Sequence, residues 1–158
     1  MSLAIHKVDW NHPTDRAALV ELLNLYASDP MGGSQPLPDE VRQTLCDKLA
    51  AFPTCHALLA FDAETPVGLL IAFVGFSTFK ARPLLNLHDV AVRPGRRGQG
   101  IGRQLLASAE ALASELGCCK MTLEVHDRNP IAQHLYQSYG FRAFDPPQAF
   151  WMKAIDDR

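Results

Sequence analysis

The sequence predicts an α+β fold, a mixed sheet containing one parallel crossover. Three observations carry that prediction. Strand-length apolar runs come early, interrupted by two helical patterns. From residue 84 onward the order is strand, helix, strand, helix, strand. The run at 84–92 is apolar on both faces, which suits a central strand with neighbours on either side.

Residues 4–10 are expected as the first strand. Residues 13–27 follow as a helix, with Thr14 as a cap and Leu19, Leu22, Leu23 and Tyr26 on one face. Residues 28–38 hold three prolines and the pair Gly32-Gly33, so they read as a loop long enough to act as a lid. A second helix is expected over 39–51. Strands at 56–61 and 66–76 are joined by Asp62-Ala63-Glu64-Thr65, and 77–83 is a turn carrying Lys80 and Arg82. After the strand at 84–92, apolar residues at 101, 105, 106, 109, 112, 113 and 116 have helical spacing, and Gly117 is placed to stop that helix. Residues 121–125 form the next strand. Asn129 caps a helix with Pro130 in its first turn, and Gly140 ends it. Strands at 141–144 and 149–154 complete the expected set.

The chain has 158 residues, 47% hydrophobic and 20% charged, which fits one compact domain spanning 1–158. A net charge of −2 gives no bulk reason to expect nucleic-acid or anionic-membrane partners. No apolar run approaches the ~18 residues of a membrane span, and the N-terminus lacks a signal-peptide core. The cysteines at 46, 55, 118 and 119 have no metal or disulfide spacing, so buried free thiols in a reducing cytoplasm are expected. His6, His12, His56, His126 and His134 show no metal-ligand spacing either, and no metal is expected.

Residues 92–102 read Val-Arg-Pro-Gly-Arg-Arg-Gly-Gln-Gly-Ile-Gly, where a strand should become a helix. A helix N-terminus carries unpaired N–H groups and partial positive charge, and glycines let an anion approach that backbone. The stretch therefore reads as a diphosphate cradle. Gly-x-x-x-x-Gly-Lys-Ser/Thr is absent, which disfavours a P-loop nucleotidase. Gly98-Gln99-Gly100-Ile101-Gly102 is not the dinucleotide Gly-x-Gly-x-x-Gly, and it lies too late in the chain for that fold.

Arg97-Gly98-Gln99-Gly100-Ile101-Gly102 matches the Gln/Arg-x-x-Gly-x-Gly/Ala signature of the GCN5-related N-acetyltransferases. Asn129, Ala132, Tyr136 and Gly140-Phe141 match that family's Asn-x-x-Ala-x-x-x-Tyr-x-x-x-Gly-Phe. The chain thus resembles this family, strongly over 85–145. The resemblance implies a mostly antiparallel sheet with helices on both faces and a central parallel strand pair, splayed to hold acetyl-CoA. It implies that Arg97, Gly98, Gln99, Gly100, Ile101 and Gly102 hold the pyrophosphate, and that side chains at 100 or 102 would block it. Arg96 and Arg103 either contact ribose phosphate or form a solvated face. Val90 and Val92 are expected to offer backbone groups to the pantetheine arm, the Val90 N–H polarising the acetyl carbonyl. Asn129 either caps its helix only or also contacts the cofactor.

Tyr136 matches the family's general acid, which protonates the departing thiolate. Tyr139 is a chemical rival that only the motif sets aside. Because an amine with pKa ~10.4 is protonated at neutral pH, a base is expected. Asn86, His88 and Asp89 are nearby, and strict alternation puts Asn86, His88 and Val90 on one face and Asp89 on the other. His88 has the better intrinsic pKa. Many family members carry a glutamate here, this chain has none at 86 or 88, and Glu124 is an alternative.

Phe76 to Pro83, followed by Leu87-His88-Asp89, also resembles the diamine (spermidine/spermine) acetyltransferase subgroup, which usually has Leu-Glu-Asp at that point. The expected acceptor is a small-molecule amine, such as a diamine or amino acid, recognised by the first two helices and the 28–38 loop. Protein N-termini or lysines, and a non-catalytic acyl-CoA sensor, remain alternative readings. Family members often pair through sheets or C-terminal strands, so a homodimer is an expectation.

Overall fold

The computed structural model describes residues 2–155. Its elements are β1 (Leu3–Lys7), α1 (Pro13–Ser28), α2 (Asp39–Ala50), β2 (Cys55–Asp62), β3 (Thr65–Ser77), β4 (Arg82–Val92), α3 (Ile101–Glu115), β5 (Met121–Leu123) and α4 (Pro130–Tyr139). The strands form one sheet in the order β1-β2-β3-β4-β5. The first four are antiparallel, and β4 pairs with β5 in parallel through the α3 crossover. β4 has neighbours on both sides, as its two apolar faces require.

Each face of the sheet buries its own apolar cluster. α3 contributes Ile101, Leu105, Leu106, Ala109, Leu112 and Ala113, which meet Leu70, Leu85 and Leu87. These positions are the apolar stripe read from the sequence. Leu105 and Leu106 are fully buried, and each contributes about 2 kcal/mol relative to exposure. On the opposite face α1 and α2 supply Ala18, Leu19, Leu22 and Cys46 against Leu59, Leu69 and Ile71. α4 lies on the α3 side, where Leu135, Tyr136 and Tyr139 pack against the first cluster.

Helix ends follow local chemistry. The expected Thr14 cap is not made: the N-cap of α1 is His12, two residues earlier, and Pro13 opens the helix where a missing N–H costs nothing. Buried Asp15 accepts from the Asp9 N–H at 2.9 Å and lies 3.0 Å from His6 Nε2, which fixes the connection from β1. Asn129 caps α4, its Oδ1 accepting from the Ala132 N–H at 3.1 Å. Gly140 ends α4 at φ 116°, a left-handed conformation that glycine takes without a Cβ penalty.

Besides the Thr14 cap and the first strand, which ends at Lys7 rather than at residue 10, three expectations fail. Residues 141–144 and 149–154 form no strand, and β5 ends at Leu123 rather than 125. Beyond Phe141, which packs against the α3-side cluster, the apolar residues of that tail are exposed, Phe150, Trp151 and Met152 among them. Asp145-Pro146-Pro147 breaks the stretch with two residues that cannot donate to a ladder. The third failure is the strict alternation along β4. The β3–β4 register shifts between Ile71 and Ala72, so that Ile71 faces Asp89 while Ala72 faces Leu87. His88 is the extra residue of a β-bulge.

Candidate functional site

The bulge at His88 reorganises everything after it. Leu85 and Leu87 belong to the α3-side cluster, and beyond the bulge Val90 and Val92 pack there too. Asp89 sits opposite Ile71, a residue of the α1–α2 cluster. His88 meets the Phe73 ring edge-on at 5.5 Å, and Phe73 packs against that same cluster. His88 and Asp89 therefore share the α1 side with Asn86, which is paired with Phe73, and Val90 does not. Asn86 is already engaged, its Nδ2 donating to Thr122 Oγ1 at 3.0 Å.

Backbone direction switches with the side chains. The Leu85 N–H donates toward β5, to the Lys120 carbonyl, whereas the Arg93 N–H donates toward β3, to the Val67 carbonyl. Alternation from Arg93 turns the N–H groups of Val90 and Val92 to the β5 side. There β5 has departed, because the parallel pairing ends at Leu87 and Leu123. An unbulged strand would have pointed those N–H groups into β3. The bulge thus presents two donors along an edge that no strand of the described residues covers.

The glycine corner lies where this edge ends. Gly98 and Gly100 adopt φ 77° and 81°, and a Cβ built on either meets nothing within 4 Å. Gly100 is the N-cap of α3, and no side chain caps the helix. Among the described residues, the N–H groups of 98–102 make no hydrogen bond. Those of the first helical turn point back along the axis toward the open corner. The backbone therefore has the conformation, the space and the donors that a diphosphate needs. A Cβ at Gly102 would point toward α4, 2.9 Å from Leu135 Cδ2, the flexible end of a side chain that would have to shift.

The arginines are paired within the protein. Arg96 bonds Asp62 at 2.9 Å, and Arg93 bonds Glu21 at 2.6 Å. Arg97 reaches Asp29 Oδ2 at 2.7 Å and the Val92 carbonyl at 3.4 Å. Arg103 donates to the Ser138 carbonyl and lies over the Tyr139 ring, 5.4 Å from its centroid.

The structure separates the two tyrosines of α4. The Tyr139 hydroxyl donates to Glu110 Oε2 at 2.6 Å, tying α4 to α3. Tyr136 instead packs edge-on against Phe141 with ring centroids 5.9 Å apart. Burial, with a smaller contribution from Tyr26, pushes the Tyr136 phenol up to about 12, so it keeps its proton throughout the neutral range. Tyr26 was read from the sequence only as part of an apolar face. Burial raises its pKa, and the nearby carboxylates of Asp89 and Asp29 raise it further. Burial also raises the pKa of Asp89, against a smaller opposing effect of His88. Tyr26 on α1 thus lies near enough to feel Asp89 on β4 and to influence Tyr136 on α4. A run of apolar helix positions gave no signal that Tyr26 belonged to this group. Glu124 lies beyond the end of β5, exposed.

No group of three or more His, Cys, Asp or Glu residues among the described residues could hold a metal ion, and no helix there is long and apolar enough to cross a membrane. Residues 19–141 match the model of the "Acetyltransferase (GNAT) family". The chain is similar to thialysine N-epsilon-acetyltransferase of Bos taurus, 32% identical over 102 residues that cover 60% of this chain and 59% of that protein. It is 41% identical over 70 residues to streptothricin acetyltransferase of Streptomyces lavendulae, covering 44% of this chain and 36% of that one. The chain therefore spans less than two thirds of the length of these curated relatives. An aminoglycoside acetyltransferase from an uncultured soil metagenomic sample, solved with sisomicin, superposes with a TM-score of 0.80 over 96% of both chains. At 21% identity it shares the fold.

Proposed function

This chain belongs to the GNAT family of acetyltransferases, and on that premise we propose that it moves an acetyl group from acetyl-CoA to a primary amine of a small molecule. One observation carries the proposal. The β4 edge freed after Leu87 runs to the glycine corner at Gly100, and α4, which bears Tyr136, lies against the first turn of α3 there.

In this proposal Gly98, Gln99, Gly100, Ile101 and Gly102 hold the diphosphate through backbone N–H groups, with Arg97 alongside. Val90 and Val92 bond the pantetheine arm as an added strand would. Acetyl-CoA supplies an activated thioester carbonyl, and the Val90 N–H is placed to polarise it; such a donor is typically worth ~3 kcal/mol. Tyr136 gives its proton to the departing sulfur, because burial keeps the phenol protonated until then.

The acceptor enters from the α1 side, where Asp89 faces it. Removing a proton from an alkylammonium at pH 7 costs ~4.6 kcal/mol. A carboxylate whose pKa is raised by burial is a stronger base than one in water, and it also attracts the cation. His88, exposed beside Asp89, passes the proton to solvent. The relatives are named for thialysine, streptothricin and aminoglycosides, which supports a small-molecule acceptor.

Free-thiol release from acetyl-CoA with a panel of diamines, polyamines, amino acids and aminoglycosides tests the proposal. Release above the hydrolytic background with at least one amine is expected. CoA binding without release on any amine contradicts transfer and leaves an acyl-CoA-binding module.

A further inference from the structure

Asp29 occupies a position that neither the motif nor the fold explains. It closes α1 and opens the loop at 29–38, the segment expected to face the acceptor. Its carbonyl accepts from the N–H groups of Gly32, Gly33 and Ser34 at 2.8, 3.2 and 3.2 Å. Its Oδ1 accepts from the Met31 N–H at 2.9 Å. The first half of the loop is therefore wound around this one residue. The remaining oxygen, Oδ2, leaves the loop altogether and takes the Arg97 guanidinium, 68 positions along the chain. The Asp29 side chain is only 15% exposed, while Arg97 is 48% exposed. The Met31 N–H, then Arg97, hold the Asp29 carboxyl below the usual carboxylate range, so the ion pair persists at neutral pH.

Arg97 is also the residue adjoining the glycine corner. A guanidinium has five N–H donors in a planar fork. Here Nη2 serves Asp29 and Nε faces the Val92 carbonyl, while Nη1 makes no hydrogen bond among the described residues. The guanidinium can therefore hold Asp29 on one side and accept a second anion on the other.

We propose that Asp29 and Arg97 form a bridge that couples the two substrate sites, with diphosphate binding at the corner fixing Arg97 and, through Asp29, ordering the 29–38 loop for the acceptor. The inference rests on the donor site proposed above. Asp29 is a positioning residue in this scheme and touches neither reacting group. Coupling of this kind is reciprocal, so the acceptor tightens CoA binding by the same factor.

Hydrogen exchange of the amides at 31–34, with CoA as the probe, tests the bridge without any turnover. Saturating CoA should slow exchange there by at least ~5-fold in the wild-type chain, the lower end of typical couplings. Asp29→Asn keeps an acceptor for the Met31 N–H but removes the charge; it should still bind CoA and lose the slowing. Arg97→Lys keeps a positive charge but loses the fork, and it should lose the slowing as well. Equal slowing in both variants overturns the bridge. So does faster exchange in the wild type with CoA, which would mean that Arg97 abandons Asp29 for the phosphates. Absence of CoA binding to the wild-type chain overturns the donor site itself, an outcome that direct titration separates from failed coupling.

Discussion

The glycines on the two sides of the cleft solve opposite problems. At Gly98 and Gly100 an added Cβ would meet nothing within 4 Å, and φ is positive. At Gly32 it would lie 1.9 Å from the Tyr26 carbonyl oxygen, because the chain folds back on the end of α1. The first pair leaves room for a guest, whereas the second makes room for the protein itself. In the proposed function the donor side rests mainly on backbone N–H groups already in place at the glycine corner, with Arg97 alongside. The proposed acceptor side rests instead on side chains of α1, β4 and the 29–38 loop, held by ion pairs and burial.

The sharpest way to break this contrast is at Gly100. Gly100→Asp forces a side chain into a left-handed conformation and sets a like charge at the diphosphate. Such a juxtaposition costs several kcal/mol, so CoA affinity should fall about 10³-fold by calorimetric titration. Retained affinity would place the diphosphate elsewhere.

Tyr136→Phe comes next. It removes the proton donor but keeps the ring against Phe141, so turnover should drop about 10²-fold while CoA affinity holds. Turnover at the wild-type level would remove Tyr136 from the chemistry.

Asp89→Asn probes the acceptor side and carries a sign. Burial raises the pKa of Asp89 in the folded chain above its unfolded value. Its protonated form therefore favours folding below the unfolded pKa, and that contribution is lost as pH rises through the folded pKa. At pH 7 the buried charge costs stability. The variant should melt at a higher temperature at neutral pH, an advantage that shrinks on acidification into the ordinary carboxylate range. It should also lose more than about tenfold in turnover. A lower melting temperature at pH 7 would mean that Asp89 has a stabilising partner.

The smallest expected effect is at Gly102. Gly102→Ala presses on the flexible end of Leu135 while improving helix propensity, and should change stability by no more than about 1 kcal/mol in denaturant unfolding, with CoA affinity little changed. A loss of affinity without loss of stability would mean that a side chain at 102 reaches the diphosphate.

What the sequence revealed divides along the same line. The elements around the proposed donor side were legible because their signals are local. Helical spacing placed α3, Asn129-Pro130 announced the start of α4, and the glycines marked left-handed turns. The acceptor side was not, because its signals are long-range. Nothing in Leu87-His88-Asp89 announces a bulge, which appears only when β4 is laid against β3. Tyr26 looked like one more apolar helix position, and Asp29 met Arg97 only after folding. The strands expected at 141–144 and 149–154 show the limit of β-propensity, since a strand needs a partner edge and prolines withhold donors from it.

Amide chemical shifts followed during a CoA titration test the central claim most directly, because they read the backbone donors themselves. The largest changes should fall on Val90, Val92 and residues 98–102, with smaller ones reaching 31–34 through Asp29. Changes confined to another surface, or saturable binding that leaves those amides unmoved, would contradict a backbone-built donor site on the bulged edge of β4.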